Sequence, residues 1–191
     1  AEKPYDLAGV WGVQEFMFSY HSKLTATHPF QSPWYQWPVI VRPIYYYSGK
    51  YLAEGNLSSI AAFGNPAVWW TGFIATIYCM TAYAKKSKKI DVSSTGFVLT
   101  CLAAAFLPWA LITRATFIYH YFASVPFIIL LTVTMMKRTE RKNGKIAVWA
   151  WIVLVGAGAL FFFFYPVWSG WVINRAYALK FIQWFPSWWF F

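Results

Sequence analysis

The stretch Leu111–Leu131, LITRATFIYHYFASVPFIILL, places an arginine and a histidine inside an otherwise apolar part of the chain. A guanidinium group binds phosphate through two parallel, charge-assisted hydrogen bonds. Arg114 therefore indicates a site for a lipid-linked phosphate, and His120 is a candidate donor to the same group. Two alternatives stay open. Arg114 can extend to water from a membrane face, and His120 can be a structural histidine.

The surrounding apolar run, Val92–Met136, has 45 residues, which as one straight helix would be about 67 Å long. The hydrocarbon core of a bilayer is only about 30 Å thick, so the run must form two spans. Spans over Val92–Leu111 and Phe117–Met136 leave Ile112–Thr116 as a turn at a membrane face, and Arg114 lies in that turn.

Helical spacing would then bring polar groups together just below that face. Residues three and four apart share one face of a helix. This spacing groups Thr113 and His120 with Phe117 and Ser124, and it places Arg114 and Tyr121 on the adjacent face.

Composition identifies the class of protein. The chain has 59% hydrophobic and 12% charged residues, whereas soluble domains are about a quarter charged. Pro66–Ala84 and Ile146–Tyr165 also have spanning length. We therefore predict an all-α integral membrane protein with four transmembrane helices.

Two short connections, Lys85–Lys89 and Lys137–Lys145, carry nine of the 16 Lys and Arg residues. Short loops rich in Lys and Arg stay in the cytoplasm. This places both termini and Arg114 on the outer or lumenal face. Topology and attraction to lipid headgroups explain the net charge of +10, and nucleic acid is not indicated as a partner.

Three regions follow from this reading. Residues 1–65 form an aromatic, Pro-rich external segment, residues 66–165 form the bundle, and residues 166–191 form an aromatic tail lying in the membrane interface. In the external segment, Pro29, Pro33, Pro38 and Pro43 exclude a long helix. The chain starts without Met or a signal layout, which suggests a cut or processed end of a longer protein.

The stretch His21–Pro43 has two readings. It is either an aromatic apron at headgroup level or one wall of an outer cavity. In the second reading the indole of Trp37 stacks on sugar rings, and His28, Gln31 and Arg42 offer hydrogen bonds.

Other kinds of site find little support in the sequence. His21 and His28 lack a third ligand for a metal, and Cys79 and Cys101 fall in spans, where they are small core residues. Transfer to a hydroxyl needs a carboxylate base, but the acids on the outer side are not paired at short spacing: Glu2, Asp6, Glu15 and Glu54. We therefore predict no catalytic residue, metal or cofactor in this chain.

Three motifs, SYHSKLTATHPFQSPWYQWP, FGNPAVWW and RATFIYHYFASVPF, resemble in order and spacing the C-terminal four-transmembrane region of protein O-mannosyltransferases. The resemblance extends from Asp6 to about Trp171 and looks bacterial. It implies mannose transfer from polyprenyl- or dolichyl-phosphate mannose to Ser or Thr of translocated proteins. Arg114, His120 and Tyr119 would then face the donor. The membrane would be the bacterial plasma membrane, or the endoplasmic reticulum in a eukaryote.

In that family an acidic Asp-Glu motif in the N-terminal half acts on the acceptor hydroxyl, and nothing in this sequence matches it. The resemblance therefore implies a carboxyl-terminal piece or a split subunit, with an N-terminal catalytic half as partner. A non-catalytic module that binds a lipid phosphate or assists assembly is the alternative. A transporter is less favoured, because the spans hold no ionisable group near mid-membrane.

Overall fold

The computed structural model describes residues 6–88, 90–140 and 145–189. The α-helices, in chain order, are α1 (Leu7–Ser22), α2 (Pro66–Ala84), α3 (Val92–Phe106), α4 (Val125–Arg138), α5 (Val148–Ser169) and the short α6 (Arg175–Tyr177). Short 3₁₀ helices cover Trp34–Val39, Leu107–Leu111 and Ile118–Ser124, and a π turn covers Ala178–Ile182. The described residues also form four short strands: β1 (Ile44–Ser48), β2 (Asn56–Leu57), β3 (Ser59–Ala62) and β4 (Ile173–Asn174).

The helices of the bundle begin where the sequence provides caps. Helix α2 starts at Pro66, and the side chain of Asn65 accepts a hydrogen bond of 3.0 Å from the amide of Ala67. Helix α3 starts after Asp91, whose carboxylate accepts from the amides of Ser93 and Ser94. Such caps satisfy amides that have no partner inside the helix.

Among the described residues, three helical stretches are long and apolar enough to cross a membrane: Val92–Leu111, Ile118–Arg138 and Val148–Ser169. They confirm the predicted helical membrane class. Helix α2 has the predicted bounds, and its place as a fourth span stays a prediction. Helix α5 starts and ends a few residues after the predicted Ile146–Tyr165.

The chain turns between the second and third predicted spans, as expected, but the predicted helical faces are wrong there. Residues 112–117 are not helical, and Ile118–Ser124 is a 3₁₀ helix. A 3₁₀ helix has three residues per turn, so spacing of three and four no longer places Thr113 and His120 on one face. Loop backbone instead presents Arg114.

Helices α2 and α4 lie side by side and run parallel. Near their starts, the rings of Trp69 and Tyr121 are 4.9 Å apart. Ten residues later in both segments, the Cys79 thiol lies 3.6 Å from the Leu131 carbonyl oxygen. We call the end of the bundle near Trp69 the cleft end. We call the end carrying Lys85–Lys88 the basic end.

The external segment contains a helix that was not predicted. Asp6 caps α1 by accepting from the amide of Gly9 at 2.7 Å. None of the residues of α1 is buried in this chain, and Trp11 is 73% exposed. Its large apolar residues do not form one stripe, which is why helical periodicity did not reveal it. The rest of the segment forms a β1–β3 antiparallel pair with an irregularity between Tyr45 and Tyr47.

The C-terminal tail packs into the fold as well as lying along its surface. Strand β4 pairs with β2, and the fully buried Trp188 donates from its indole to the Ile40 carbonyl at 2.6 Å. Ser187 donates to the Val41 carbonyl. The ring of Trp188 also contacts Phe63 and Phe164. The prediction that the tail lies only in the membrane interface is therefore wrong.

Candidate functional site

A cleft of about 280 Å³ opens at the cleft end, between the external segment and the turn that follows the Leu107–Leu111 helix. One wall comes from the external segment and consists of Leu24, Thr25, Ala26, Thr27, Gln31, Ser32, Pro33 and Trp34. The other wall consists of Trp109, Ile112, Thr113, Arg114, Ala115 and Thr116. Two motifs far apart in sequence thus form one concave surface, which is where ligand sites occur in proteins.

Ser32 and Thr116 fasten the two walls together. The Ser32 amide donates to the Thr116 carbonyl at 2.8 Å. In return, the Thr116 hydroxyl donates to the Ser32 carbonyl at 2.9 Å. Both residues are buried. This reciprocal pair, here called the clamp, fixes the backbone on which the neighbouring polar side chains are carried.

Arg114 and Gln31 are the two site candidates that the structure brings into the cleft. Both are half-buried. The Gln31 side-chain oxygen accepts from the His28 amide at 3.1 Å, so its NH₂ group is the donor that remains for a ligand. Within the described chain no carboxylate lines the cleft. The arrangement offers hydrogen-bond donors and positive charge, which suits an anion.

His120 and Tyr119 lie behind the cleft wall. The His120 ring stacks on Trp109 with centroids 4.0 Å apart and an interplanar angle of 25°. Tyr119 stacks on Phe117 at 5.6 Å. Neither candidate lines the cleft. His120 thereby supports the wall residue Trp109, which is the structural alternative that the sequence left open for it.

His28 and Arg42 make structural contacts beside the cleft. The His28 Nδ1 atom accepts from the Phe30 amide at 3.1 Å. An Arg42 Nη atom donates to the Pro29 carbonyl at 2.9 Å, and the guanidinium carbon lies 5.8 Å from the ring centre of Trp189. Arg42 thus joins the external segment to the tail, and it does not line the cleft.

Trp37 does not form the expected stacking surface. Its side chain is fully buried, and its indole donates to the carbonyl and hydroxyl oxygens of Ser32 at 3.1 and 3.0 Å. An indole without exposed faces has no surface for a sugar ring. Trp34 and Trp109, both half-buried, are the tryptophans that line the cleft, and Trp37 supports the clamp from behind.

Sequence reasoning missed the clamp because neither Ser32 nor Thr116 belongs to a periodic pattern of a helix or a strand. Ser32 and Thr116 lie in two of the motifs described above, but 84 residues separate them in the sequence.

The acids and metal-ligating residues do not gather at the cleft. Asp6 caps α1, and Glu15 and Glu54 are exposed elsewhere on the external segment. Within the described residues, no three His, Cys, Asp or Glu side chains come together. The cleft therefore has the composition of a binding site without a general base of its own.

An apolar groove of about 550 Å³ lies between α2 and α3. Its walls include Phe73, Met80 and Leu99. Phe106 lies at the end of the groove nearer the cleft, and its ring is 5.2 Å from that of the cleft residue Trp34. The groove and the cleft are thus separated by one pair of aromatic rings.

Comparison with known proteins gives consistent relatives. The chain is 30% identical to the polyprenol-phosphate-mannose–protein mannosyltransferase of Corynebacterium glutamicum, over 97% of this chain and 38% of the relative. It is 27% identical to the protein of that name in Mycolicibacterium smegmatis, with the same coverage. It is 26% identical to dolichyl-phosphate-mannose–protein mannosyltransferase 5 of Candida albicans, over 90% of this chain and 26% of the relative.

A solved structure shares the fold. The Saccharomyces cerevisiae protein O-mannosyltransferase Pmt1-Pmt2 complex bound to the sugar donor aligns with a TM-score of 0.71 and 20% identity, covering 100% of this chain and 28% of that one. The chain spans well under half the length of these relatives. A family profile described as the C-terminal four TMM region of protein-O-mannosyltransferase matches residues 7–188. The chain therefore belongs to this family, as the C-terminal membrane region of a protein O-mannosyltransferase.

Proposed function

We propose that the chain is the donor-binding membrane region of an enzyme that transfers mannose from a polyprenyl or dolichyl phosphate to Ser or Thr of proteins. The observation that carries this proposal is the cleft, where Arg114 and Gln31 lie on opposite walls held by the clamp. A guanidinium and an amide NH₂ group match the acceptor oxygens of a phosphate and a sugar.

In this proposal the α2–α3 groove holds the lipid part of the donor. The α2–α3 groove is apolar, and the hydroxyls of Thr76 and Thr100 on its walls donate to carbonyls of their own helices. The groove therefore offers an isoprenoid chain an apolar surface with no competing hydrogen bond from these two threonines. Its contact with Trp34 through Phe106 would let one molecule occupy both the groove and the cleft.

The distribution of charge supports one orientation in the membrane. We propose that the basic end faces the cytoplasm, because short loops rich in Lys and Arg stay there. The cleft end and both termini would then face the outside of a bacterial plasma membrane, or the lumen in a eukaryote. The donor brings the sugar already activated, so the proposed reaction uses no cofactor.

The general base would come from a partner segment, since no described carboxylate lines the cleft. The same observation favours the second candidate function, a non-catalytic module that binds a lipid phosphate. A transfer assay with polyprenyl-phosphate mannose and a Ser/Thr peptide separates the two. The chain alone should give no glycopeptide, and the complete gene product should give glycopeptide.

Two outcomes would contradict the proposal. Glycopeptide formed by the chain alone would show that Glu15, Glu54 or Asp6 acts as the base. A complete gene product that binds the donor but never transfers mannose would favour the non-catalytic module.

A further inference from the structure

The basic end holds an arginine whose position is fixed by a neighbouring helix. Arg138 is the last residue of α4, and its Nε donates to the hydroxyl of Tyr78 on α2. The guanidinium carbon lies 5.9 Å from the centre of the Tyr78 ring. Arg138 is half-buried. In the part of the chain that the structure describes, its two Nη groups have no hydrogen-bond or ion-pair partner, so they remain as donors.

Two lysines reach the same depth as this arginine. Since α2 and α4 run parallel, and Cys79 lies beside Leu131, six further residues bring α2 to Lys85 and α4 to Lys137. Both helices rise about 1.5 Å per residue. Lys85 and Lys137 therefore lie at about the same depth, at the ends of their helices, and both are exposed. Arg138 directly follows Lys137.

The positive charge at the basic end is not balanced within the described chain. Six basic residues stand there against two acids: Lys85, Lys86, Lys88, Lys137, Arg138 and Lys145 against Asp91 and Glu140. Hydrogen bonds from the side chain and backbone of Ser94 lower the pKa of Asp91. Its carboxylate is thus occupied in capping α3.

An aromatic side chain marks the depth of this site in the membrane. The Trp149 indole, near the start of α5, donates to the Thr139 hydroxyl at 3.0 Å. Thr139 directly follows Arg138. Tryptophan is enriched at the headgroup level of membranes. The fixed guanidinium therefore lies where the phosphate of a phospholipid would be.

We propose that the basic end is a binding site for an anionic phospholipid headgroup. The lipid phosphate accepts hydrogen bonds from the Nη groups of Arg138, and Lys85 and Lys137 neutralise the remaining charge. Basic pockets between membrane helices bind anionic headgroups in this way, and the planar guanidinium suits the phosphate. This site is at the opposite end of the bundle from the cleft, and the proposal is independent of mannose transfer.

Lipid retention tests the proposal directly. The full-length gene product is reconstituted in nanodiscs of phosphatidylcholine with or without phosphatidylglycerol, and retained lipids are counted by native mass spectrometry. Thermal midpoints are measured in parallel. We expect the parent to retain phosphatidylglycerol and to melt at a higher temperature with it. Arg138→Gln should weaken this retention roughly tenfold or more, as expected for loss of a charged hydrogen bond.

Tyr78→Phe tests whether lipid binding depends on the fixed position of the Arg138 guanidinium or on positive charge alone. It keeps every charge and the ring but removes the hydroxyl that fixes Nε, so retention should fall several-fold. Tyr165→Phe, at a tyrosine of α5 that is 39% exposed, is the control and should behave like the parent. The double variant Lys85→Gln/Lys137→Gln changes two exposed side chains and should also lose retention while folding normally.

Three results would overturn the proposal. Retention by Arg138→Gln equal to the parent would show that the arginine only extends into water. Retention by Tyr78→Phe equal to the parent would show a diffuse charge effect. Stabilisation by inorganic phosphate equal to that by phosphatidylglycerol would assign the site to a free anion. If Arg138→Gln does not fold, the tyrosine and lysine variants decide.

Discussion

Thr116 and Ser32 exchange two hydrogen bonds, of 2.8 and 2.9 Å, across 84 residues of sequence. Arg114 lies two residues before Thr116, and Gln31 lies immediately before Ser32. The geometry of the cleft therefore depends on a contact between two loops. Helix packing alone does not set it.

Thr116→Val keeps the side-chain shape and removes the donor to the Ser32 carbonyl. That carbonyl still accepts from Trp37, so the fold should survive. We expect the KM for the lipid donor to rise roughly two- to tenfold in the complete enzyme, since a typical hydrogen bond contributes about 0.5–1.5 kcal/mol. Steady-state kinetics with varied donor measures this.

Thr116→Ser restores the hydroxyl and should return the KM towards that of the parent. Thr134→Val is the control, since the Thr134 hydroxyl donates only to the Leu130 carbonyl of its own helix. A parental KM in Thr116→Val would mean that the clamp does not position the site.

Gly64→Ala should disrupt packing at the start of α2. A Cβ atom there would lie 1.7 Å from Cε2 of Trp69, and Trp69 is only 3% exposed. Overpacking of this kind typically costs about 1–3 kcal/mol. Thermal unfolding in detergent should show a clear drop in midpoint. Gly158→Ala has no atom within 4 Å of the new Cβ and should leave the midpoint unchanged or slightly raised.

Trp188→Ala tests whether the tail belongs to the core. The indole is fully buried and donates to the Ile40 carbonyl, so its removal should cost about 3–5 kcal/mol. Trp171→Ala removes an indole that is 65% exposed and should cost little. Equal melting temperatures for the two variants would show that the tail only lies at the membrane surface.

The proposed topology predicts different accessibility at the two ends of the bundle. In a background with Cys79→Ala and Cys101→Ala, a cysteine at Thr113 should react with an impermeant maleimide added to intact cells. Cysteines at Ser87 and Lys145 should react only after permeabilisation. The reverse pattern would invert the orientation, and labelling of all three in intact cells would contradict a membrane-crossing arrangement.

The bundle could be predicted from sequence because its signals are local. Asn65 and Pro66 mark the start of α2 as expected, and apolar length together with Arg114 locates the turn. The backbone of that turn could not be predicted in the same way. Within that turn, Thr116 exchanges hydrogen bonds with Ser32. No pattern within the turn itself indicates a partner 84 residues away.

The site could be predicted only in part, because residue types are visible in the sequence but contacts between distant segments are not. Residue type identifies Arg114 and Gln31 as candidates, and they do share the cleft. Residue type also suggests Trp37 for the cavity wall, because tryptophan often stacks on sugars. Its burial against Ser32 and Trp109 depends on the fold around it. Helix α1 escaped prediction since its apolar residues do not follow one helical face.

The central claim is that Arg114 holds the phosphate of the donor, and donor binding by Arg114→Lys tests it most directly. Lysine reaches water as well as arginine does, but it lacks the planar, two-pronged geometry that fits phosphate. Binding of polyprenyl-phosphate mannose to the complete enzyme should therefore weaken roughly 10- to 150-fold, with normal expression and membrane insertion. Arg175→Lys, at an exposed arginine of the tail, should bind like the parent. Parental affinity in Arg114→Lys would contradict the account and leave Arg114 as a membrane anchor.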